Sequence, residues 1–246
     1  MNTTSQRVAI VTGASRGIGA AIAERLAADG FTVIVNYSGN QTLADQLVRN
    51  IEHNGGRALS AKADVSDATA VAQLFDRAEQ AFGGVDILVN NAGVIALAPV
   101  AEMSDAEADR LIDINLKGTF NTLREAAKRL RDNGRIINFS SSVVGLLQPS
   151  YGMYAATKAA VEALTSELAK ELRGRNITVN AIAPGPTATG LFLDGKTPEL
   201  IARLANMAPL ERLGQPQDIA AAVSFLAGAD GAWINGQTLR ANGGII

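Results

Sequence analysis

The chain has no cysteine, which excludes disulfides, thiolate catalysis and cysteine-based metal sites. It has one histidine, His53, in the polar stretch Glu52-His53-Asn54-Gly55. With no second imidazole no metal site is expected, and His53 reads as a surface group at a helix end. Aromatic residues make up only 4% of the 246, fewer than a β-sandwich core would call for. The net charge is −2 with both signs mixed along the chain, so neither a basic stripe for nucleic acid nor an acidic tail is present. Nowhere do about 18 apolar residues follow one another, so no membrane span is expected. The opening segment, residues 1–7, lacks the apolar run of a signal peptide. These absences lead to the expectation of a cytoplasmic protein with no nucleic-acid or membrane partner.

What is present is apolar and small: 47% hydrophobic residues and 24 glycines, a composition suited to close helix-on-sheet packing. Short β-branched runs recur at 7–11, 32–36, 57–61, 86–90, 135–140, 178–182 and near 237–239. Helical stripes fall between them: Ile18, Ile22 and Leu26, then Leu43, Leu47 and Ile51, then Val71, Leu74, Phe75 and Ala78. Such alternation predicts right-handed crossovers and one doubly wound parallel α/β sheet of about seven strands, covered on both faces. No linker or repeat interrupts it, so residues 1–246 form one domain. Four of the seven prolines lie in 184–214, after a strand end, which predicts a loop covering substrate.

The first strand runs into Thr12-Gly13-Ala14-Ser15-Arg16-Gly17-Ile18-Gly19. A glycine turn opening a helix lets the backbone approach a pyrophosphate and offers it unpaired N–H groups and a positive dipole end. Gly13, Ser15, Arg16, Gly17, Ile18 and Gly19 are therefore candidate cofactor contacts. An NAD site places a carboxylate at the end of strand two, about 20 residues on, to hold the ribose 2′-hydroxyl. Here that stretch reads Asn36-Tyr37-Ser38-Gly39-Asn40, without an acid. Arg16 is placed to pair with a 2′-phosphate. Asn36, Tyr37 and Ser38 line the same point, and Asn36, Ser38 and Asn40 offer neutral hydrogen bonds. NADP(H) is expected over NAD(H).

Tyr154 and Lys158 lie four apart in a segment, 151–172, that reads as one helix, so phenol and ammonium share a face. A nearby positive charge favours the phenolate and brings a tyrosine of ordinary pKa about 10 closer to working pH. Such a tyrosine exchanges a proton with a carbonyl or alcohol oxygen. Upstream, Ser140, Ser141 and Ser142 close a strand, and any one of them is a candidate to polarise that oxygen.

Taken in order, Gly13-x-x-x-Gly17-x-Gly19, Asn90-Asn91-Ala92-Gly93, the serines before Tyr154-x-x-x-Lys158, and Pro184-Gly185 resemble the short-chain dehydrogenase/reductase family over essentially the whole chain. The pattern is most similar to its β-ketoacyl carrier-protein reductases. The resemblance implies a Rossmann-type fold and an NADP(H)-dependent oxidoreductase interconverting a ketone or 3-ketoacyl group and an alcohol by hydride transfer. It implies Tyr154 as general acid/base and Lys158 as the group that lowers its pKa and holds the nicotinamide ribose. The serine follows from the family spacing as Ser141, with Ser142 as runner-up. Asn115 matches an asparagine that kinks the central helix and anchors a proton-relay water. Asp64 and Val65 would frame the adenine. Asn91, Ala92 and Gly93 would line the cofactor. Pro184 and Gly185 would pack on the nicotinamide, and Thr187 and Thr189 would bond its carboxamide or the phosphates. A homotetramer is implied, built on helices around 102–131 and 151–173 and the C-terminal strand. The sequence departs from the family in having Asn242-Gly243-Gly244 in place of the frequent Asp-Gly-Gly, and one serine more than usual.

Ile95, Leu97, Leu146, Leu147, Tyr151, Leu191 and Phe192 are candidate pocket walls. Their apolar character points to a neutral or acyl-chain substrate. Lys128, Arg129, Arg131, Arg173 and Arg175 read as a solvated basic face, the less favoured alternative being a dock for an acidic carrier protein. Trp233 reads as a packing or subunit-contact residue. Two other functions compete: an epimerase or dehydratase, disfavoured by the glycine spacing and by the short C-terminal region, and a non-catalytic nucleotide-binding regulator, which has little need of Ser141, Tyr154 and Lys158 together.

Overall fold

A computed structural model describes residues 6–246. Its seven strands are β1 (Val8–Val11), β2 (Thr32–Tyr37), β3 (Arg57–Lys62), β4 (Val85–Asn90), β5 (Leu130–Phe139), β6 (Thr178–Pro184) and β7 (Thr238–Ala241). They pair in parallel in the order β3-β2-β1-β4-β5-β6-β7, which is the predicted doubly wound sheet. Every residue of β1, β2 and β4 is buried, as a parallel sheet covered on both sides requires.

Alternation along β1 divides the core. Ala9 and Val11 face one layer with Ile22, Leu26, Leu47, Ile51 and Val223. Val8 and Ile10 face the other with Leu74, Phe75, Leu123 and Leu168. The first layer is covered by α1 (Gly17–Ala28), α2 (Gln41–His53) and α10 (Pro216–Ala227). The second is covered by α3 (Ala68–Phe82), α5 (Gly118–Arg129) and α7 (Gly152–Glu171). Local signals set the helix starts: Asp67 accepts from the Thr69 and Ala70 N–H groups, and Ser104 and Glu107 cap each other. The α2 stripe differs from expectation, because Ala44 is buried with Leu47 and Ile51 while Leu43 is largely exposed.

Three segments depart from the sequence reading. The long helix around 102–131 is broken into α4 (Asp105–Leu111), a π-helical stretch Ile112–Lys117, and α5. Strand β5 begins five residues early, at Leu130, because its pairing with β4 shifts register between Val85 and Ile87 and accommodates Asn133 in the left-handed region. The 184–214 segment folds into two short helices, α8 (Gly190–Leu193) and α9 (Pro198–Ala205), and the bridge Thr187–Gly214 ties its ends. The remaining helix, α6 (Val143–Leu146), follows the serines.

A buried polar ladder crosses the sheet beneath the site. Thr122 of α5 donates to Asn90 Oδ1 at 2.7 Å. The Asn90 amide donates to Asn138 Oδ1 at 2.9 Å, and the Asn138 amide to Thr165 Oγ1 of α7 at 2.9 Å. All four side chains are buried, so the ladder fixes α5 and α7 against β4 and β5. Asn138→Ala leaves the Asn90 amide without its acceptor, while Thr165 keeps its bond to the Val161 carbonyl. We expect a loss of about 1–3 kcal/mol for the orphaned amide, read as a lower urea midpoint. Combined with Thr165→Val, the losses should be less than additive.

Candidate active site

The exits of β1, β4, β5 and β6 line one cleft of 1290 Å³. At one end lies the glycine turn. Gly13 takes φ +61°, and a Cβ there would lie 2.9 Å from Ala92 Cα. A Cβ on Gly19 would lie 2.5 Å from the Gly13 carbonyl oxygen and the Asn91 amide. That amide donates to the carbonyls of Thr12 and Gly13 at 2.9 and 3.1 Å, and Thr12 Oγ1 accepts the Ala92 N–H at 3.0 Å. Asn91 thus braces the turn from β4. Helix α1 starts after it with no side-chain cap and no acid in its first turn, leaving its N–H groups for an anion. Arg16 is exposed at this end and has no side-chain partner among the described residues.

The stretch after β2 is only partly as expected. Asn36 is buried with its amide fully occupied: Oδ1 accepts the Gly13 N–H at 3.2 Å, and Nδ2 donates to the Ala61 and Ala63 carbonyls. It therefore shapes the turn from behind, and its side chain is not free for a phosphate. Asn40 caps α2 by accepting the Leu43 N–H, and the Tyr37 ring belongs to the core. Ser38 alone of the expected polar group is exposed and free, with Gln41 and Thr42 beside it on the cleft wall. Asp64 and Val65 line the cleft as expected. Their loop is held by the Asn121 amide, which donates to the Val65 and Ser66 carbonyls. The sequence reading missed Asn121, although a polar residue on the buried face of a helix was the available signal.

At the other end the structure sorts the three serines. Ser140 donates to Glu162. Ser142 donates to the Ala183 carbonyl at 3.2 Å and accepts from the Asn242 amide at 3.0 Å. Ser141 remains, lining the cleft with Tyr154, its Oγ accepting the Val143 N–H at 3.4 Å. Lys158, one turn beyond Tyr154, is 5% exposed, donates to the Phe139 carbonyl at 2.8 Å, and lies 5.8 Å from the centre of the Tyr154 ring. Burial pulls Lys158 down to about 8. The phenol departs from expectation: burial pushes Tyr154 up to about 12, Tyr151 adds to the rise, and only the Ser141 hydrogen bond opposes it. Desolvation of the phenolate outweighs the ammonium, which lies over the ring and is turned to a carbonyl.

Asn115 sits fully buried in the π-helical stretch. Its Oδ1 accepts the Val94 N–H at 2.8 Å, and its amide donates to the Val94 carbonyl at 2.9 Å. The helix is π-helical at this point, and the Asn115 side chain pins the loop after Gly93. A Cβ on Gly93 would lie 3.2 Å from Asn115 Oδ1 and 3.6 Å from Lys158 Nζ, so a side chain there would press on the Asn115 amide. Pro184 and Gly185 line the cleft. Thr187 donates to the Gly185 carbonyl, and Thr189 caps α8 through the Phe192 N–H. Thr189 also reaches the glycine turn, since a Cβ on Gly17 would lie 3.5 Å from its methyl group. Of the expected pocket walls, Ile95, Leu146, Tyr151, Leu191 and Phe192 line the cleft while Leu97 and Leu147 do not. Gln148, Leu204, Met207 and Ile245 join them.

The basic face is neutralised within the chain. Arg129 pairs with Asp76, Glu79 and Glu125, Arg131 with Asp86, Arg175 with Asp132, and Lys128 with Glu125. Only Arg173 of the five has no ion-pair partner among the described residues. Trp233 is 98% exposed among the described residues.

The residues present fit a dinucleotide. An uncapped helix start, a glycine cradle that a Cβ would fill, and a free guanidinium line one end of a cleft with room for a second molecule at the other. Comparison with known proteins agrees. A family model described as enoyl-(acyl carrier protein) reductase matches residues 13–246. A short-chain type dehydrogenase/reductase of Picea abies is 49% identical, over 98% of this chain and 92% of the relative. An NADPH-dependent aldehyde reductase-like chloroplastic protein of Arabidopsis thaliana is 44% identical, over 98% and 94%. Among solved structures, a short chain dehydrogenase of Burkholderia cenocepacia in complex with NADP is 38% identical, covers 98% of both chains, and superposes with a TM-score of 0.92. The chain belongs to the short-chain dehydrogenase/reductase family.

Proposed function

We propose that this chain reduces a neutral ketone or aldehyde with NADPH, Tyr154 supplying the proton. The observation that carries the reading is the convergence of Ser141, Tyr154 and Lys158 at one end of a cleft whose other end is a glycine turn flanked by Arg16. When bound, NADPH supplies the hydride. The α1 start and Gly13, Gly17 and Gly19 receive its diphosphate, and Arg16 with Ser38 receives the 2′-phosphate. Ser141 donates a hydrogen bond to the substrate oxygen and holds it beside Tyr154 Oη. As the carbon is reduced, that oxygen takes the phenolic proton, and the Lys158 ammonium below Tyr154 stabilises the phenolate left behind. The apolar walls at this end favour a neutral substrate.

The assembly implied by the family, a homotetramer, belongs to the same reading. Phe120 and Ile112 on the α5 side, and Trp233 and Leu239 near β7, are large apolar groups exposed on the single chain. Light scattering of the purified protein reads the mass directly. A cytoplasmic location likewise belongs to the reading, and cell fractionation tests it, two relatives being named as chloroplastic.

The deciding experiment follows NADPH oxidation with a panel of ketones and aldehydes. Tyr154→Phe should lower turnover at least about 100-fold while NADPH still binds; full activity of this variant would refute the reading. Arg16→Ala should weaken NADPH binding about 10- to 100-fold and leave NADH binding nearly unchanged. A wild-type preference for NADH would overturn the cofactor assignment.

The protonation states set the pH profile. Tyr154, raised to about 12, keeps its proton throughout the neutral range, and Lys158, lowered to about 8, keeps its charge only below that value. Reductive kcat/KM should therefore be flat through neutral pH and fall as pH rises through about 8. A profile still flat at pH 10 would overturn the lowered Lys158 pKa.

A further inference from the structure

Ser141 is loosely tethered by its own side chain. Its Oγ accepts the Val143 N–H at 3.4 Å, longer than an ordinary bond of about 2.7–3.2 Å. The serines on either side of it are each held by main chain and side chain together. We propose that Glu162 and Asn242 are positioning residues for the reduction, gripping Ser140 and Ser142 so that the Ser141 hydroxyl between them meets the substrate oxygen beside Tyr154. The proposal rests on the carbonyl-reductase reading, in which Ser141 and Tyr154 serve that oxygen.

The first grip ties the serines to the helix that carries the phenol. The Ser140 N–H donates to the Ile182 carbonyl at 2.8 Å, and its hydroxyl donates to Glu162. Tyr154, Lys158 and Glu162 stand at i, i+4 and i+8 along α7 and so form one stripe. Lys158 already holds the carbonyl of Phe139, next to Ser140. Glu162 adds a second tie one turn further along that stripe. A single bond lets the strand end swivel about it, whereas two bonds to neighbouring residues fix its direction as well as its depth. Ser140 is buried, so its hydroxyl is costly to leave without a partner.

The second grip ties them to the segment after β7. The Ser142 N–H donates to the Pro184 carbonyl at 2.9 Å, and its hydroxyl to the Ala183 carbonyl at 3.2 Å. With its proton committed, Ser142 Oγ can only accept, and the Asn242 amide supplies an N–H at 3.0 Å. That amide is oriented, because its Oδ1 accepts the Gly244 N–H at 3.0 Å. It is also held in place, since a Cβ on Gly185 would lie 2.9 Å from Asn242 Cα. The asparagine that departs from the family's Asp-Gly-Gly is thus matched to a serine of the lengthened serine run. Neither Glu162 nor Asn242 lines the cleft, so each acts through the serine beside Ser141 and not on the substrate.

The test uses the whole protein with the best ketone of the panel, hydride transfer being followed in single turnovers so that slow variants stay measurable. Glu162→Ala and Asn242→Leu are each made in wild type and in Ser141→Ala, and NADPH binding and thermal melting certify folding. We expect each change to slow hydride transfer about 10- to 100-fold in wild type, with KM and NADPH affinity nearly unchanged. Glu162→Gln, which keeps an oxygen for Ser140, should recover most of the rate. In Ser141→Ala neither change should slow the reaction further, because the hydroxyl they position is gone. A wild-type rate in either variant, or equal losses with and without Ser141, would overturn the proposal and leave the reductase reading standing. If Ser141→Ala falls below detection, the paired cycles decide. Glu162→Ala should then cost nothing more in Ser140→Ala, nor Asn242→Leu in Ser142→Ala, and additive losses would overturn the grips. A Ser141→Ala variant as fast as wild type would remove Ser141 from the reductase reading, and the proposal with it.

Discussion

The hydrogen bond from Lys158 Nζ to the Phe139 carbonyl is the contact on which the site depends. It joins the middle of α7 to the last residue of β5, so it sets how deep the helix sits against the sheet edge. One turn before Lys158 on that helix is Tyr154. Two residues beyond Phe139 on that strand is Ser141. Fixing the two segments to one another therefore fixes phenol against hydroxyl. The same bond explains the lysine's burial: an ammonium taken from water needs at least one good acceptor, and a carbonyl at a strand end is free to be that acceptor.

A parallel sheet leaves such carbonyls wherever its strands end together, and this chain answers them mostly with asparagine. Asn91 holds the carbonyls of Thr12 and Gly13, Asn36 those of Ala61 and Ala63, and Asn121 those of Val65 and Ser66. Asn115 clasps both backbone groups of Val94. Each amide fixes a loop that borders the cleft, and Asn242 does the same for the serine segment through Ser142. The family's frequent acid at position 242 would lack the N–H that Ser142 accepts here. The cleft is rigid because side chains behind it satisfy its backbone, which leaves the backbone of the glycine turn and a few free side chains to meet ligands.

This division of labour explains what the sequence could and could not tell. The sheet, its seven strands and the glycine turn were legible because they depend on patterns along the chain: β-branched runs, helical stripes, and glycines between a strand and a helix. Tyr154 and Lys158 were legible from spacing within one helix. Whether Ser140, Ser141 or Ser142 faces the phenol was not, since that depends on Glu162 and Asn242, residues 22 and 100 positions away from the serines they bind. Asn36 and Asn40 misled for the same reason. An amide beside a phosphate-binding turn looks like a ligand contact until its partners are known, and here they are backbone groups. The basic face dissolved likewise, because the acids that neutralise Arg129 and Arg131 come largely from α3 and β4, far away in sequence.

The protonation of the site was the least legible property, and it follows from depth. From sequence, an ammonium four residues from a phenol argues for a lowered phenol pKa. In the fold Lys158 is buried and Tyr154 is half-buried at the cleft wall, and burial disfavours whichever form is charged: phenolate for Tyr154, ammonium for Lys158. It therefore moves the two values apart, to about 12 and about 8, while both groups still hold their protons at neutral pH. A site in that state is prepared to give a proton and then to stabilise the anion it leaves, which is the order of events in carbonyl reduction. Under the proposed mechanism the reverse direction would start from a phenolate, the form that burial disfavours and the Ser141 hydrogen bond favours.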